Sequence, residues 1–169
     1  HTYELTLGVL YPIYCGATVY YLSTPPVPAL LVAAMKKIRP TALLTVPLII
    51  EKIYRNSVLP TIRKSKTLSW LNKRHNKLMC RIIGWKLKKS FGGKLNFFGV
   101  GGAKLDTTVE EFLWKARFPY AIGYGLTEAS PLLTHAVGKQ RYPGSIGYPV
   151  HGVEMRLDNV NPETGEGEI

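Results

Sequence analysis

GYGLTEAS, residues 123–130, sets an aromatic ring between two glycines and follows it closely with a hydroxyl and a carboxylate. Each residue type has a chemistry. Gly123 and Gly125 flank Tyr124 and hold its ring against a rim, where it offers a flat face to a π-ligand such as a purine base. Stacking of an aromatic on a base contributes roughly 1–3 kcal/mol. The Thr127 hydroxyl can bond a phosphate oxygen. The Glu128 carboxylate is a hard oxygen donor suited to Mg²⁺, an ion that keeps most of its waters and the phosphates of its substrate. A second glycine corner, GVGGAKL at residues 99–105, places Gly101 and Gly102 just before a helix, whose first turn has free N–H donors and a positive end. Base stacker, phosphate donor and metal ligand together describe a nucleotide–Mg²⁺ site. The same residues also read as a core aromatic at Tyr124, a helix cap at Thr127 and a first-turn acid at Glu128. The phosphate loop GxxxxGK[ST] and the dinucleotide signature GxGxxG are both absent from the chain.

The two corners need a scaffold that brings strand ends together. TYELTLGVLYPIYCG predicts a helix ending near Gly16, and ATVYYL, β-branched and aromatic, a short buried strand. STPPVPALLVAAMKKIRP predicts a helix with Leu30, Leu31, Ala34, Met35 and Ile38 on one face, ended by Arg39-Pro40. TALLTVP reads as a parallel strand covered on both faces, and PLIIEKIYRN as the helix after it. KLNFFGVGG is the next strand. LDTTVEEFLWKA opens a helix with a Thr107-x-x-Glu110 capping box and a stripe of Val109, Phe112, Leu113 and Ala116. PYAIGYG is the last parallel strand. Beyond Leu133, GSIGYPVHGVEMRLDNV alternates and is broken by glycine and proline, as short antiparallel strands are. The fold class is α/β: a parallel sheet flanked by helices, then short antiparallel β strands. Residues 1–133 form the parallel subdomain, with a basic helical insertion at about 52–94, and 134–169 begin a β-rich one. Ligands bind such sheets beyond the carboxyl ends of the strands, where both glycine corners fall.

The chain has 169 residues, enough for a sizeable core, and a formal net charge of +11. Every charged residue from Lys52 to Lys94 is basic. A block of this kind points to nucleic acid, an anionic membrane or an acidic partner, or is a solvated face. Its aromatics, Tyr54, Trp70, Trp85 and Phe91, lack the regular interleaving that single-strand recognition uses, which weighs against nucleic acid. A lysine or arginine near an anionic bilayer contributes ~1 kcal/mol, so the block suits a membrane surface. Cys15 and Cys80 have no metal or redox spacing, and two cysteines fit a reducing compartment such as the cytoplasm. No apolar run approaches the ~18–20 residues of a membrane span. The chain starts at a histidine and ends within NPETGEGEI, which reads as a turn entering a strand, so a piece of a longer protein is expected.

Four ordered segments, HTYELTLG, GVGGAKL, YGLTE and PGSIGYPVHGVEMRL with GEGEI after it, resemble the adenylate-forming superfamily, and within it the long-chain fatty acyl-CoA synthetase branch. The resemblance covers essentially the whole chain, the basic block least. It implies an ATP-dependent ligase that joins a fatty acid to coenzyme A through an acyl-adenylate. By that resemblance Tyr124 packs on adenine, Thr127 contacts the α-phosphate and Glu128 holds Mg²⁺. Gly101, Gly102 and Ala103 border adenine and the acyl tunnel, and His1 lies near the acyl carboxylate and gates the thiol. His75, His135 and His151 match nothing. Two positions depart from the family pattern. Ile122 stands where many relatives place a polar partner for adenine, and Lys104 where many carry proline. The family's phosphate loop, ribose-binding aspartate, hinge and C-terminal lysine are not in the chain, so these 169 residues alone are expected to be inactive. The resemblance leaves open another carboxylate, such as an amino acid or a short acid.

Overall fold

The computed structural model describes residues 1–22, 28–64 and 77–169, with only the backbone of residues 28, 29 and 64. Lys66, Trp70, Lys73, Arg74 and His75 of the sequence reading lie outside the described residues. Helix α1 is one continuous run, a π-helical stretch over Glu4–Leu10 passing into Tyr11–Tyr14. Helix α2 spans Pro28–Ile38 and carries two lysines, Lys36 and Lys37, in its last turn, where cations complement the helix dipole. Strand β1 is Ala42–Thr45, and Pro47 starts helix α3 over Pro47–Ile53, which runs on through Tyr54–Val58 to Leu59–Lys64. Helix α4 is Lys77–Ser90, β2 Phe97–Val100, α5 Thr107–Lys115, β3 Tyr120–Tyr124, β4 Thr134–Ala136 and β5 Tyr148–Pro149.

The five strands form one sheet in chain order. β1, β2 and β3 are parallel, with Leu44 opposite Gly99 and Gly99 opposite Ala121. β4 turns antiparallel to β3, setting His135 opposite Gly123, and β5 is antiparallel to β4. The α/β class, with a parallel sheet leading into short antiparallel strands, is therefore what the chain adopts. The core lies between the sheet and the helices. Phe91, Phe98 and Phe118 meet there with ring centroids 5.3–6.1 Å apart, and Tyr54 meets Phe112 at 5.3 Å. Gly84 of α4 lies so close to α5 that a Cβ there would stand 2.6 Å from the Cβ of Ala116.

Three local expectations change. ATVYYL is not a strand: residues 17–22 pair with nothing among the described residues, and Tyr20 and Tyr21 are exposed. Branched and aromatic side chains favour extended backbone, but a strand exists only where a neighbour takes its hydrogen bonds. β1 is not covered on both faces either. It is the edge of the described sheet and stays half-exposed. The cap of α5 is Asp106, not Thr107: its Oδ1 accepts from the Thr108 and Val109 N–H groups at 2.9 and 3.1 Å. A carboxylate one residue earlier reaches the same orphan donors and complements the helix dipole.

Glu110, freed from the capping box, is only 5% exposed, and its Oε2 accepts the Gly144 N–H at 2.9 Å. Arg141 works on the same turn from the other side. Its guanidinium donates to the carbonyls of Phe118, Tyr120 and Gly138, and lies over the Tyr120 ring. These two side chains fasten residues 138–145 to the sheet. Burial raises the Glu110 carboxyl above its ordinary range, and the Gly144 N–H offsets part of that. A raised carboxyl contributes stability that is full below the unfolded value and is lost as pH rises through the folded one. Glu110→Gln keeps an acceptor for Gly144 and removes the charge. Its stability relative to the parent is expected to improve as pH rises from 5 to 8, read from urea midpoints at the two pH values. A decline over that range would mean that the ionised carboxylate is the stabilising form.

Candidate nucleotide-binding corner

The carboxyl ends of β2 and β3 and the start of α1 enclose a cleft of about 250 Å³. Gly101 and Gly102 follow directly on β2, β3 supplies Gly123 and Tyr124, and the turn after it supplies Gly125, Leu126, Thr127, Glu128, Pro131 and Leu132. His1 and Tyr3, just ahead of α1, close it from the third side. The structure thus brings together His1, Gly101, Gly102, Gly123, Tyr124, Gly125, Thr127 and Glu128. Ala103, next to Gly102, is not among the lining residues.

Local sequence explains the corner's shape. Leu133 N–H donates to the Tyr124 carbonyl at 2.9 Å, closing the loop that carries Thr127 and Glu128. Inside it the chain doubles back so tightly that a Cβ on Gly125 would lie 1.7 Å from the Pro131 carbonyl oxygen. Only glycine fits. Gly102 has φ +86, the left-handed region that favours glycine, and its Cβ position is open apart from Val46 at 3.9 Å. Space and backbone freedom coincide there, as they do where a ligand approaches main chain.

Of the bland alternatives for the GYGLTE residues, those for Tyr124 and Thr127 lose ground, while Glu128 does stand in the first turn of a short helix. Tyr124 is half-buried, not a core ring. Thr127 opens a single 3₁₀ turn, Thr127–Ala129, whose N-cap is Leu126 with no side-chain cap bond. Glu128 is exposed and makes none of the ion pairs among the described residues. Ile122 packs against the core and is not in the cleft lining, so a base at Tyr124 would meet backbone and ring on this side. His135 sits within β4 and His151 is exposed, and neither lines the cleft.

Sequence reasoning missed four of the lining residues, the apolar Leu126, Pro131 and Leu132 and, with the most chemistry, Tyr3. Its hydroxyl donates to the Gly99 carbonyl at 3.3 Å, and its ring is 3.2 Å from a Cβ built on Gly101. Burial pushes its phenol up to about 12, so it stays protonated and acts as a donor at any ordinary pH. Its N–H donates to His1 Nδ1 at 3.2 Å, which puts the neutral imidazole's proton on Nε2. Nothing in the spacing of the sequence links Tyr3 to Gly99, 96 positions away.

Among the described residues no group of three or more His, Cys, Asp or Glu could hold a metal. The corner offers one carboxylate, Glu128. A lone hard oxygen donor fits Mg²⁺, an ion that is bound through one or two carboxylates with water and the phosphates of a substrate.

The chain resembles known proteins along its whole length. The family model "AMP-binding enzyme" matches residues 1–169. The long-chain-fatty-acid–CoA ligase 2 of Schizosaccharomyces pombe is 29% identical over 147 residues, covering 78% of this chain and 21% of that protein. The long chain acyl-CoA synthetase 1 of Arabidopsis thaliana is 30% identical over 149 residues, covering 75% and 22%. The chain therefore spans about a fifth of the length of these curated relatives. Among solved structures, a benzoate CoA ligase from Burkholderia xenovorans LB400 superimposes with a TM-score of 0.65 at 20% identity, over 99% of this chain and 28% of that one. That likeness shows the fold. The match of the family model over every residue, on a parallel sheet whose glycine-rich strand ends share one cleft, makes this chain a member of the AMP-binding enzyme family.

Proposed function

We propose that this chain is the nucleotide-binding centre of an ATP-dependent ligase that joins a long-chain fatty acid to coenzyme A. The observation that carries the reading is the cleft itself. A stacking ring, a hydroxyl, a carboxylate and two glycine corners, separated by up to 27 positions, line one opening with His1. The long-chain choice rests on the yeast and plant relatives.

In this reading Tyr124 stacks on adenine and Thr127 donates to the α-phosphate. Gly101, Gly102 and the neighbouring Ala103 border the base and the acyl path, while His1 presents its Nε2 proton near the carboxylate and controls access of the thiol. Glu128 holds Mg²⁺, which on binding supplies positive charge to oxygens that would otherwise repel the incoming carboxylate. The fatty acid carboxylate attacks the α-phosphorus, pyrophosphate leaves, and the coenzyme A thiol then displaces AMP. The corner's share is positioning and electrostatic stabilisation, not proton transfer. Residues outside this chain complete the site, so the chain by itself forms no acyl-CoA.

The test is ATP–pyrophosphate exchange by the full-length protein that carries this chain, with carboxylates from acetate to palmitate and an aromatic acid in the same series. Exchange is expected to peak with the long chains. A peak at a short or aromatic acid would reassign the substrate, and no exchange with any acid would overturn the ligase reading.

A further inference from the structure

Helix α4 carries two apolar faces. Met79, Cys80, Ile83 and Leu87 are buried, and the close approach of Gly84 to Ala116 fixes which way the helix is turned. With that face inward, Leu78, Ile82 and Trp85 point outward, 59%, 44% and 57% exposed. At about 100° per residue these three and Lys89 share an arc of about 60°. Arg81 and Lys88 lie along one side of the stripe and Lys86 along the other, and the helix holds no acidic residue. The Lys89 ammonium sits 4.0 Å from the Trp85 ring centroid.

Beside the stripe is a cleft of about 180 Å³ between α4 and residues 116–119. Arg81 and Lys88 line one wall and Arg117 the other, with Trp85 at the edge. Arg117 adopts φ +54, a left-handed position at the end of α5 where glycine is the usual residue. The cleft opens at the start of β3, just before Tyr120, whereas the nucleotide corner lies beyond Tyr124 at its other end. The two openings are on opposite rims of the sheet.

We propose that this face of α4 docks on the surface of an anionic phospholipid bilayer, with Ile82 and Trp85 entering the headgroup region and a lipid phosphate seated among Arg81, Lys88 and Arg117. An exposed apolar stripe alone would fit many partners. Cations on both flanks, with no carboxylate on the helix, select a negatively charged one. An aromatic–aliphatic stripe between cations is the arrangement by which a helix lies in a membrane interface. No described helix is long and apolar enough to cross a membrane, and the contact proposed for α4 lies at the bilayer surface. The proposal does not depend on the ligase reading, since it uses none of the corner's residues.

The test is co-sedimentation of the full-length protein with phosphatidylcholine vesicles, with and without phosphatidylglycerol, at low and high salt. Binding is expected only to the anionic vesicles and is expected to weaken with salt. Arg81→Glu with Lys88→Glu should weaken it by roughly 30-fold or more, the effect of two surface cations at a charged bilayer. Ile82→Ser with Trp85→Ser should weaken it about tenfold or more with the cations intact. The matched charge change on α3, Lys52→Glu with Arg55→Glu, should have a much smaller effect. Retained circular dichroism certifies the fold of each variant. Equal binding to both vesicle types, an equal loss from the α3 pair, or wild-type binding by the Ile82–Trp85 pair would each overturn the proposal. So would no binding at all, which is the result if another part of the protein covers α4.

Discussion

Replacing Glu128 with alanine in the full-length protein is expected to lower ATP–pyrophosphate exchange by roughly 10²–10³-fold, the loss seen when one preorganised electrostatic contact to a transition state is removed. Unfolding should hardly change. Glu128 is exposed and forms no ion pair among the described residues, and surface substitutions of that kind stay within about 0.5 kcal/mol. This separation of activity from stability makes the variant informative. If Glu128 were simply an acid in the first turn of a short 3₁₀ helix, both quantities would stay near wild type. Exchange within a few-fold of the parent would therefore remove Glu128 from the site. Raising the Mg²⁺ concentration should recover part of the lost rate if the carboxylate's role is to hold the ion, because the defect is then in occupancy as well as in chemistry.

The second large effect is expected from Gly125→Ala. A methyl group there would start 1.7 Å from the Pro131 carbonyl oxygen and 3.0 Å from the Leu133 nitrogen. Overpacking costs about 1–3 kcal/mol where side chains can move aside. Here the obstacles are backbone, and the Leu133 N–H is already held by Tyr124. The turn must open, which moves Thr127 and Glu128 away from Tyr124. Both stability and nucleotide affinity should fall, the first by about 2 kcal/mol or more, read by thermal unfolding and by titration with ATP. An alanine variant with parental melting and affinity would show that the loop has room which its geometry denies.

Much of this arrangement was legible in the residues. The strands at 42–45, 97–100 and 120–124 announce themselves as largely apolar runs, the second and third followed directly by glycine. The stripe of α5 follows from period alone, and Val109, Phe112, Leu113 and Ala116 are all buried. The shared place of the GYGLTE residues in one cleft was readable because they are local: ring, hydroxyl and carboxylate sit within five positions. Tyr3 was not, because its value comes from a hydroxyl bond to a strand 96 positions away. Glu110 was misread for a similar reason. Its spacing from Thr107 matches a capping box, yet a distant turn, held at Gly144, captures the carboxylate. ATVYYL shows the converse limit, since propensity describes a residue's preference and pairing describes its neighbours.

The chain-ordered sheet has a consequence for how the protein can change over time. Ala42 lies opposite Phe97, whereas Ile122 lies opposite Ala136. The first pairing closes a loop roughly four times longer than the second, yet by chain statistics the extra closure entropy is only about 1 kcal/mol. Length changes in the surface turns between β1 and β2 therefore add little closure cost, provided that the side chains the segment buries, Ile50, Met79, Ile83 and Leu87 among them, are kept. Its length is felt mainly in how fast the parallel half finds its register. The hairpin that holds the nucleotide corner is closed by near neighbours and is insulated from such edits. Lineages of this fold can thus revise the outer surface while leaving the chemistry's address unchanged.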